Sequence, residues 1–156
     1  MNKFSDKISL PNIAIASVIA IFFIADRWLK IIALNLRHSV PIKLIGDIFT
    51  FSFVPNYYMA FSLPVGGLIL NLAVLLVITA LAIFIFYLIN KNPARRLDII
   101  FLTIILIGAI SNIFDRLAYG FVIDYLSLKY FTIFNLADVM ISGGALILIA
   151  ANLKNR

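Results

Sequence analysis

The sequence predicts an all-α integral membrane protein of four transmembrane helices carrying a small extracytoplasmic β-sheet. Three observations carry that reading. The 156 residues are 63% hydrophobic and only 13% charged, against roughly 45–50% apolar and 25% charged in soluble domains. Four apolar runs are long enough to cross about 30 Å of hydrocarbon. One segment between runs alternates apolar and smaller residues with the period of a strand. The whole chain, 1–156, reads as a single membrane domain, without internal repeats or low-complexity tracts.

The first span, about 11–34, is interrupted by Asp26, Arg27 and Lys30. An outward segment, about 35–67, follows. In it Phe49, Phe51 and Phe53 alternate with Thr50, Ser52 and Val54, and Val40 to Leu44 offers a partner strand. So short a segment cannot build its own core, so the expected sheet rests on helix ends or on the membrane surface. The second span, about 68–89, has no charge and reads as lipid-facing scaffold. The third covers about 97–114 and the fourth about 133–153, each with polar residues near one end. Between them, segment 115–132 gathers aromatic and branched residues around Asp124. A strand and a short interfacial helix both fit that stretch.

Lys and Arg counted in short loops orient the bundle. Lys3, Lys7, Lys91, Arg95, Arg96, Lys154 and Arg156 fall on one side, and Arg37, Lys43 and Lys129 on the other; adding Arg116 to the second group leaves the bias intact. Both termini are therefore expected in the cytoplasm, with 35–67 and 115–132 facing outward. The N-terminal stretch has the basic start and apolar core of a secretory signal, but its run is long and no small-x-small site follows, so it reads as an uncleaved anchor.

The acidic residues number seven, all aspartates, and an ionised group inside lipid is a functional-site hypothesis by default. Asp26 lies about two turns inside the outer end of its span. Asn112 and Asp115 lie at the outer end of the third span, and Asn135 and Asp138 near the outer start of the fourth. Three helices thus bring carboxylates or amides to one depth, with Asp124 tethered to the same layer. Asn112, Asp115 and Arg116 stand at i, i+3 and i+4, and Asn135 and Asp138 at i and i+3, so each set shares a helix face. Asp26 and Lys30, at i and i+4, suit a local ion pair.

Much chemistry is excluded. With no cysteine there is no thiolate ligand or thiol nucleophile, and the single histidine, His38, does not make a metal site; no metal and no cofactor is expected. The net charge of +6 comes from short basic clusters rather than one stripe with aromatic interleaving, which argues against nucleic acid. Ser62, Ser111, Ser127 and Ser142 have only Lys30 and Lys129 as outward bases and none sits in a nucleophile elbow. Two aspartates sharing a proton can activate water, the ionised one accepting its proton while the protonated one polarises a carbonyl. Amide hydrolysis at the membrane boundary is the reaction that fits. On spacing alone two alternatives stay open: a small proton-coupled transporter using Asp26, and an assembly subunit whose polar residues are interhelical glue.

Five short motifs then occur in order: DRWLK at 26–30, NYYMAF at 56–61, GAISNIFDR at 108–116, GFVID at 120–124 and FNLAD at 134–138. In these the chain resembles the bacterial lipoprotein signal peptidases, or signal peptidase II, over nearly its whole length. The resemblance implies an aspartyl endopeptidase of the bacterial inner membrane that cuts diacylglyceryl-modified prolipoproteins before the lipidated cysteine. It also implies apolar grooves between helices that receive acyl chains; a monomer in membrane lipid, with its active site on the outer face, is expected. By motif position it implies Asp124 and Asp138 as the catalytic pair. Asn112, Arg116 and Asn135 would contact substrate or hold the aspartates, Asn56 would lie at the substrate edge of the sheet, Asp26 and Lys30 would support the site, and Asp115 would partner Arg116. The chain departs from the family at four residues, and its stretch between Asp124 and Asp138 is short for the family. Tyr58 and Ser111 replace glycines, Pro55 a basic residue and Leu29 a hydroxyl residue, which implies a changed sheet edge and a narrower pocket.

Overall fold

The computed structural model describes residues 10–58 and 66–154. Lys3, Lys7 and Arg156 of the charge count, Ser62, and the 59–61 part of the second motif lie outside the described residues. Four helices appear in order: α1 (Leu10–Asn35), α2 (Gly67–Lys91), α3 (Arg96–Tyr119) and α4 (Leu136–Lys154). Strands β1 (Ile42–Ile45) and β2 (Phe49–Asn56) lie between α1 and α2, and β3 (Val122–Leu128) and β4 (Ile133–Phe134) between α3 and α4. Helices α2, α3 and α4 are long and apolar enough to cross a membrane. Helix α1, of 26 residues, carries Asp26, Arg27 and Lys30 in its C-terminal half.

Two ends differ from the sequence reading. Helix α3 runs past 114 to Tyr119, so Asp115 and Arg116 are helical; it stops at Gly120, whose φ of 84° is left-handed and whose N–H caps the Arg116 carbonyl at 3.0 Å. Helix α4 starts at Leu136 rather than 133, because Ile133 and Phe134 pair with Ser127 and Leu126 as a strand. The open choice around Asp124 is resolved as strand β3.

The four strands form one antiparallel sheet in the order β1-β2-β3-β4. In it β2 pairs along β3, with Phe49 opposite Leu128, Val54 opposite Asp124 and Asn56 opposite Val122. The register shifts between Phe51 and Val54, a bulge of the kind that re-aims side chains beside functional sites. One face packs on the end of α1: Phe51, Ile123 and Tyr125 are buried against Ala33, with Leu29, Ile32 and Leu36 around them. The Phe51 and Tyr125 rings sit 5.4 Å apart. Sheet and helix ends thus share one core, which a two-stranded hairpin could not supply alone.

Helices α3 and α4 approach closely because Gly108 has no side chain. A Cβ there would stand 2.7 Å from the Ala137 carbonyl oxygen and 3.2 Å from Met140 Cβ. That approach sets the Asn112 turn of α3 beside the Asp138 turn of α4.

Candidate active site

The start of α4 shows how the site is built. A helix leaves its first N–H groups without intrahelical partners, and here three different parts of the fold accept them. The Leu136 N–H donates to the Tyr125 hydroxyl at 3.0 Å, the Ala137 N–H to Asp26 Oδ1 at 3.1 Å, and the Asp138 N–H to Asn135 Oδ1 at 2.9 Å. The Asn135 N–H returns to Asp138 Oδ2 at 3.2 Å, which closes a reciprocal cap of the capping-box type. Asp138 therefore sits in the first turn of the helix, where the macrodipole favours a negative group.

Asn135 joins this cap to the sheet. Its Nδ2 donates to Asp124 Oδ1 at 2.6 Å, to Asn112 Oδ1 at 3.2 Å and to the Ile123 carbonyl at 3.4 Å. Asn56 Nδ2, from the neighbouring strand, donates to Asp124 Oδ2 at 2.9 Å. Asn112 Nδ2 donates to Asp138 Oδ1 at 2.8 Å. The two carboxylates from β3 and α4 thus meet around one fully buried asparagine, each steadied by a second amide. Asp124 is only 2% exposed. Burial, and next the nearby charge of Asp138, push its pKa from 3.8 up to about 7, against the pull of its amide donors and of Lys30.

Behind the pair lies a buried ionic cluster. Lys30, fully buried, reaches Asp115 Oδ2 at 2.7 Å, Asp26 Oδ2 at 3.1 Å and Asn112 Oδ1 at 2.9 Å. Asp26 also accepts from the Ser111 hydroxyl at 2.5 Å and the Tyr125 hydroxyl at 3.0 Å. Asp115 accepts from Arg27 and, at 3.3 Å, from the Ile123 N–H; the Arg27 guanidinium also lies over the Phe114 ring, 4.5 Å from its centroid. Charges this deep persist only when paired and hydrogen-bonded, and the Asp26 and Asp115 oxygens all have donors.

Eight of the nine expected site residues converge: Asp26, Lys30, Asn56, Asn112, Asp115, Asp124, Asn135 and Asp138. Arg116 borders the group, near enough to Asp124 and Asp138 for their charges to act on it but bonded to neither, and the expected Asp115–Arg116 ion pair is not formed. Asp115 faces α1 and pairs with Arg27 and Lys30, whereas Arg116, one residue on, turns away and donates to the Tyr58 carbonyl at 2.7 Å. Three contributors escaped the sequence reading as site residues: Arg27, Ser111 and Tyr125. Arg27 was visible only as a charge in an apolar span. Tyr125 follows Asp124 in a strand, so alternation turns it to the opposite, α1-facing side, and its hydroxyl on a buried face was the available signal.

A pair of aspartates held by amides, Asp124 buried and Asp138 half-buried, can activate water against a carbonyl. Residues 18–154 match the family described as signal peptidase (SPase) II. A lipoprotein signal peptidase of Caldicellulosiruptor bescii is 34% identical over 132 residues, covering 85% of each chain. One of Clostridium tetani is 35% identical over 144 residues, covering 88% of this chain and 90% of the relative. The fold is that of a bacterial membrane enzyme solved by the in meso method at 2.3 Å, with a TM-score of 0.79 at 22% identity over 91% of this chain and 88% of that one. With residues 18–154 matched and relatives of similar length covered almost end to end, this protein belongs to the signal peptidase II family.

Proposed function

We propose that this chain removes signal peptides from prolipoproteins by aspartyl catalysis, with Asp124 and Asp138 as the catalytic pair. The observation that carries the reading is the meeting of these two carboxylates on Asn135. The pair holds one proton near neutral pH, because two adjacent carboxylates in a desolvated site resist ionising together. The ionised aspartate takes a proton from water, whose oxygen attacks the scissile carbonyl, while the protonated one donates to the carbonyl oxygen. Collapse of the tetrahedral intermediate returns a proton to the departing amine and splits the peptide bond. Asn112, Asn135 and Asn56 hold the two acids in register.

The substrate is a prolipoprotein carrying diacylglycerol, cut before the lipidated cysteine. Acyl chains lying in grooves between the helices would position the scissile bond laterally from the bilayer, converting binding into orientation. Arg116 and the Tyr58 backbone, at the far end of β2, form the edge along which the peptide lies. Four helices cross the bacterial cytoplasmic membrane, α1 included, with both termini inside and the site on the outer face. The working unit in this reading is a monomer.

Transport through Asp26 finds no support in the geometry. Both Asp26 oxygens are saturated by four donors, and the residue is wholly buried; a proton carrier needs a free lone pair and a path to water. The deciding experiment is cleavage of a diacylglyceryl-modified prolipoprotein by purified protein. Parent turnover, with at least about a thousandfold loss in Asp124→Asn and in Asp138→Asn of matched thermal stability, is the expected result. Undiminished cleavage by either variant would remove that residue from the pair.

A further inference from the structure

We infer that Tyr125 is a positioning residue for the reaction, its hydroxyl fixing the first turn of α4 and thereby the Asn135 bridge between the two aspartates. This rests on the reading of Asp124 and Asp138 as the catalytic pair. The hydroxyl donates to Asp26 Oδ1 at 3.0 Å and accepts the Leu136 N–H at 3.0 Å. A phenol can do both at once, having one donor and lone pairs to accept. Its direction of donation is fixed, because Asp26 is an acceptor and the Leu136 N–H only a donor. Burial, and after it the negative charge of Asp26, raise the Tyr125 pKa, so the hydroxyl keeps its proton.

The position of this contact in the chain gives it leverage. Tyr125 directly follows Asp124, and Leu136 directly follows Asn135. One hydroxyl therefore ties the residue after one carboxylate to the residue after the bridging amide, on the face of β3 opposite the reacting groups. The Asn135–Asp124 bond of 2.6 Å lies on the other face of the same strand. The two bonds straddle β3 and set the distance between that strand and α4. Asp26 is the anchor: through Oδ1 it holds both the Tyr125 hydroxyl and the Ala137 N–H, so the ionic cluster of α1 and α3 reaches the α4 start by two adjacent routes. Tyr125 touches neither carboxylate of the pair, so its effect passes through Asn135.

Tyr125→Phe removes only the oxygen and keeps the ring against Phe51. Loosening the α4 start weakens the Asn135 donation that lowers the Asp124 pKa. In cleavage of a diacylglyceryl-modified prolipoprotein, Tyr125→Phe is expected to lower kcat by about tenfold to a hundredfold with KM little changed. The alkaline limb of its pH profile should move to higher pH. A role through Asn135 also predicts non-additivity: adding Tyr125→Phe to Asn135→Ala should cause little further loss. Tyr125→Met, which fills the space without the oxygen, should behave like Tyr125→Phe.

An unshifted pH limb in Tyr125→Phe, or full additivity with Asn135→Ala, would overturn the inference, since a packing role predicts both. Asp124→Asn is assayed beside them: if it still cleaves, the catalytic pair is wrong, whereas an inactive Asp124→Asn with an unaltered Tyr125→Phe rejects the positioning role alone.

Discussion

At the residue scale the site turns on how a buried carboxyl is made to hold a proton at neutral pH. Asp124 loses hydration on burial and faces Asp138, and these effects outweigh the amides from Asn56 and Asn135, so its pKa stands at about 7 rather than 3.8. For an acid whose pKa is raised, the protonated form persists below that value and is lost as pH rises through it. Cleavage should fall as pH rises above about 7, and fall again on the acid side once both carboxyls are protonated, the apparent values belonging to the pair. Asn56 donates to the charged form and holds the value down, so Asn56→Ala should carry the alkaline limb to higher pH. Rate profiles of parent and variant decide this, and a limb that stays put would mean Asn56 does not bear on the titration. The same group links pH to stability. Because its folded pKa exceeds its unfolded one, its contribution to stability is present below the ordinary carboxyl range and is lost as pH rises through about 7.

At the element scale, the α3–α4 contact sets how far apart the Asn112 and Asp138 turns can lie. Gly108→Ala would drive a methyl into the Ala137 carbonyl, which as backbone cannot swing aside. A loss of about 1–3 kcal/mol is expected from overpacking, together with reduced cleavage, because Ala137 immediately precedes Asp138. Thermal unfolding in detergent checks the first, and a melting point equal to the parent's would show that the helices separate freely. The elements themselves were largely legible. Long apolar runs required helices, and the Phe49, Phe51, Phe53 alternation required a strand, since both follow from local period. What the sequence could not fix were the ends. Ile133 and Phe134 are as apolar as a span, and only their pairing with Ser127 and Leu126 makes them strand. The direction of Asp115 was hidden for a similar reason: adjacency offered Arg116, but the helix turns successive residues about 100° apart, and Asp115 faces α1. Ser111 and Tyr125 became site residues only once α1 was packed behind them.

At the scale of the whole molecule, a chain so apolar keeps its charges by neutralising them internally, and its loops report which way it lies. Lys30 compensates two buried carboxylates, so Lys30→Met should leave Asp26 and Asp115 short of a cation and destabilise the protein by about 3–5 kcal/mol. A variant as stable as the parent would mean that Arg27 and the hydroxyls suffice. Orientation gives the other prediction. Lys91, Arg95 and Arg96 cluster in the α2–α3 loop, while the α1–β1 connection lies at the opposite end of the helices, at the level of the sheet and the paired aspartates. The basic excess predicts that the α2–α3 loop is cytoplasmic and the sheet external. Because the chain has no cysteine, one introduced thiol reports one position without background. Ser39→Cys and Asn92→Cys both lie at exposed sites outside the helices. In intact cells stripped of any outer barrier, a membrane-impermeant maleimide should label position 39 and spare position 92 until the membrane is permeabilised. The reverse pattern would put the aspartate pair in the cytoplasm, and would overturn the proposed orientation while leaving the site chemistry intact.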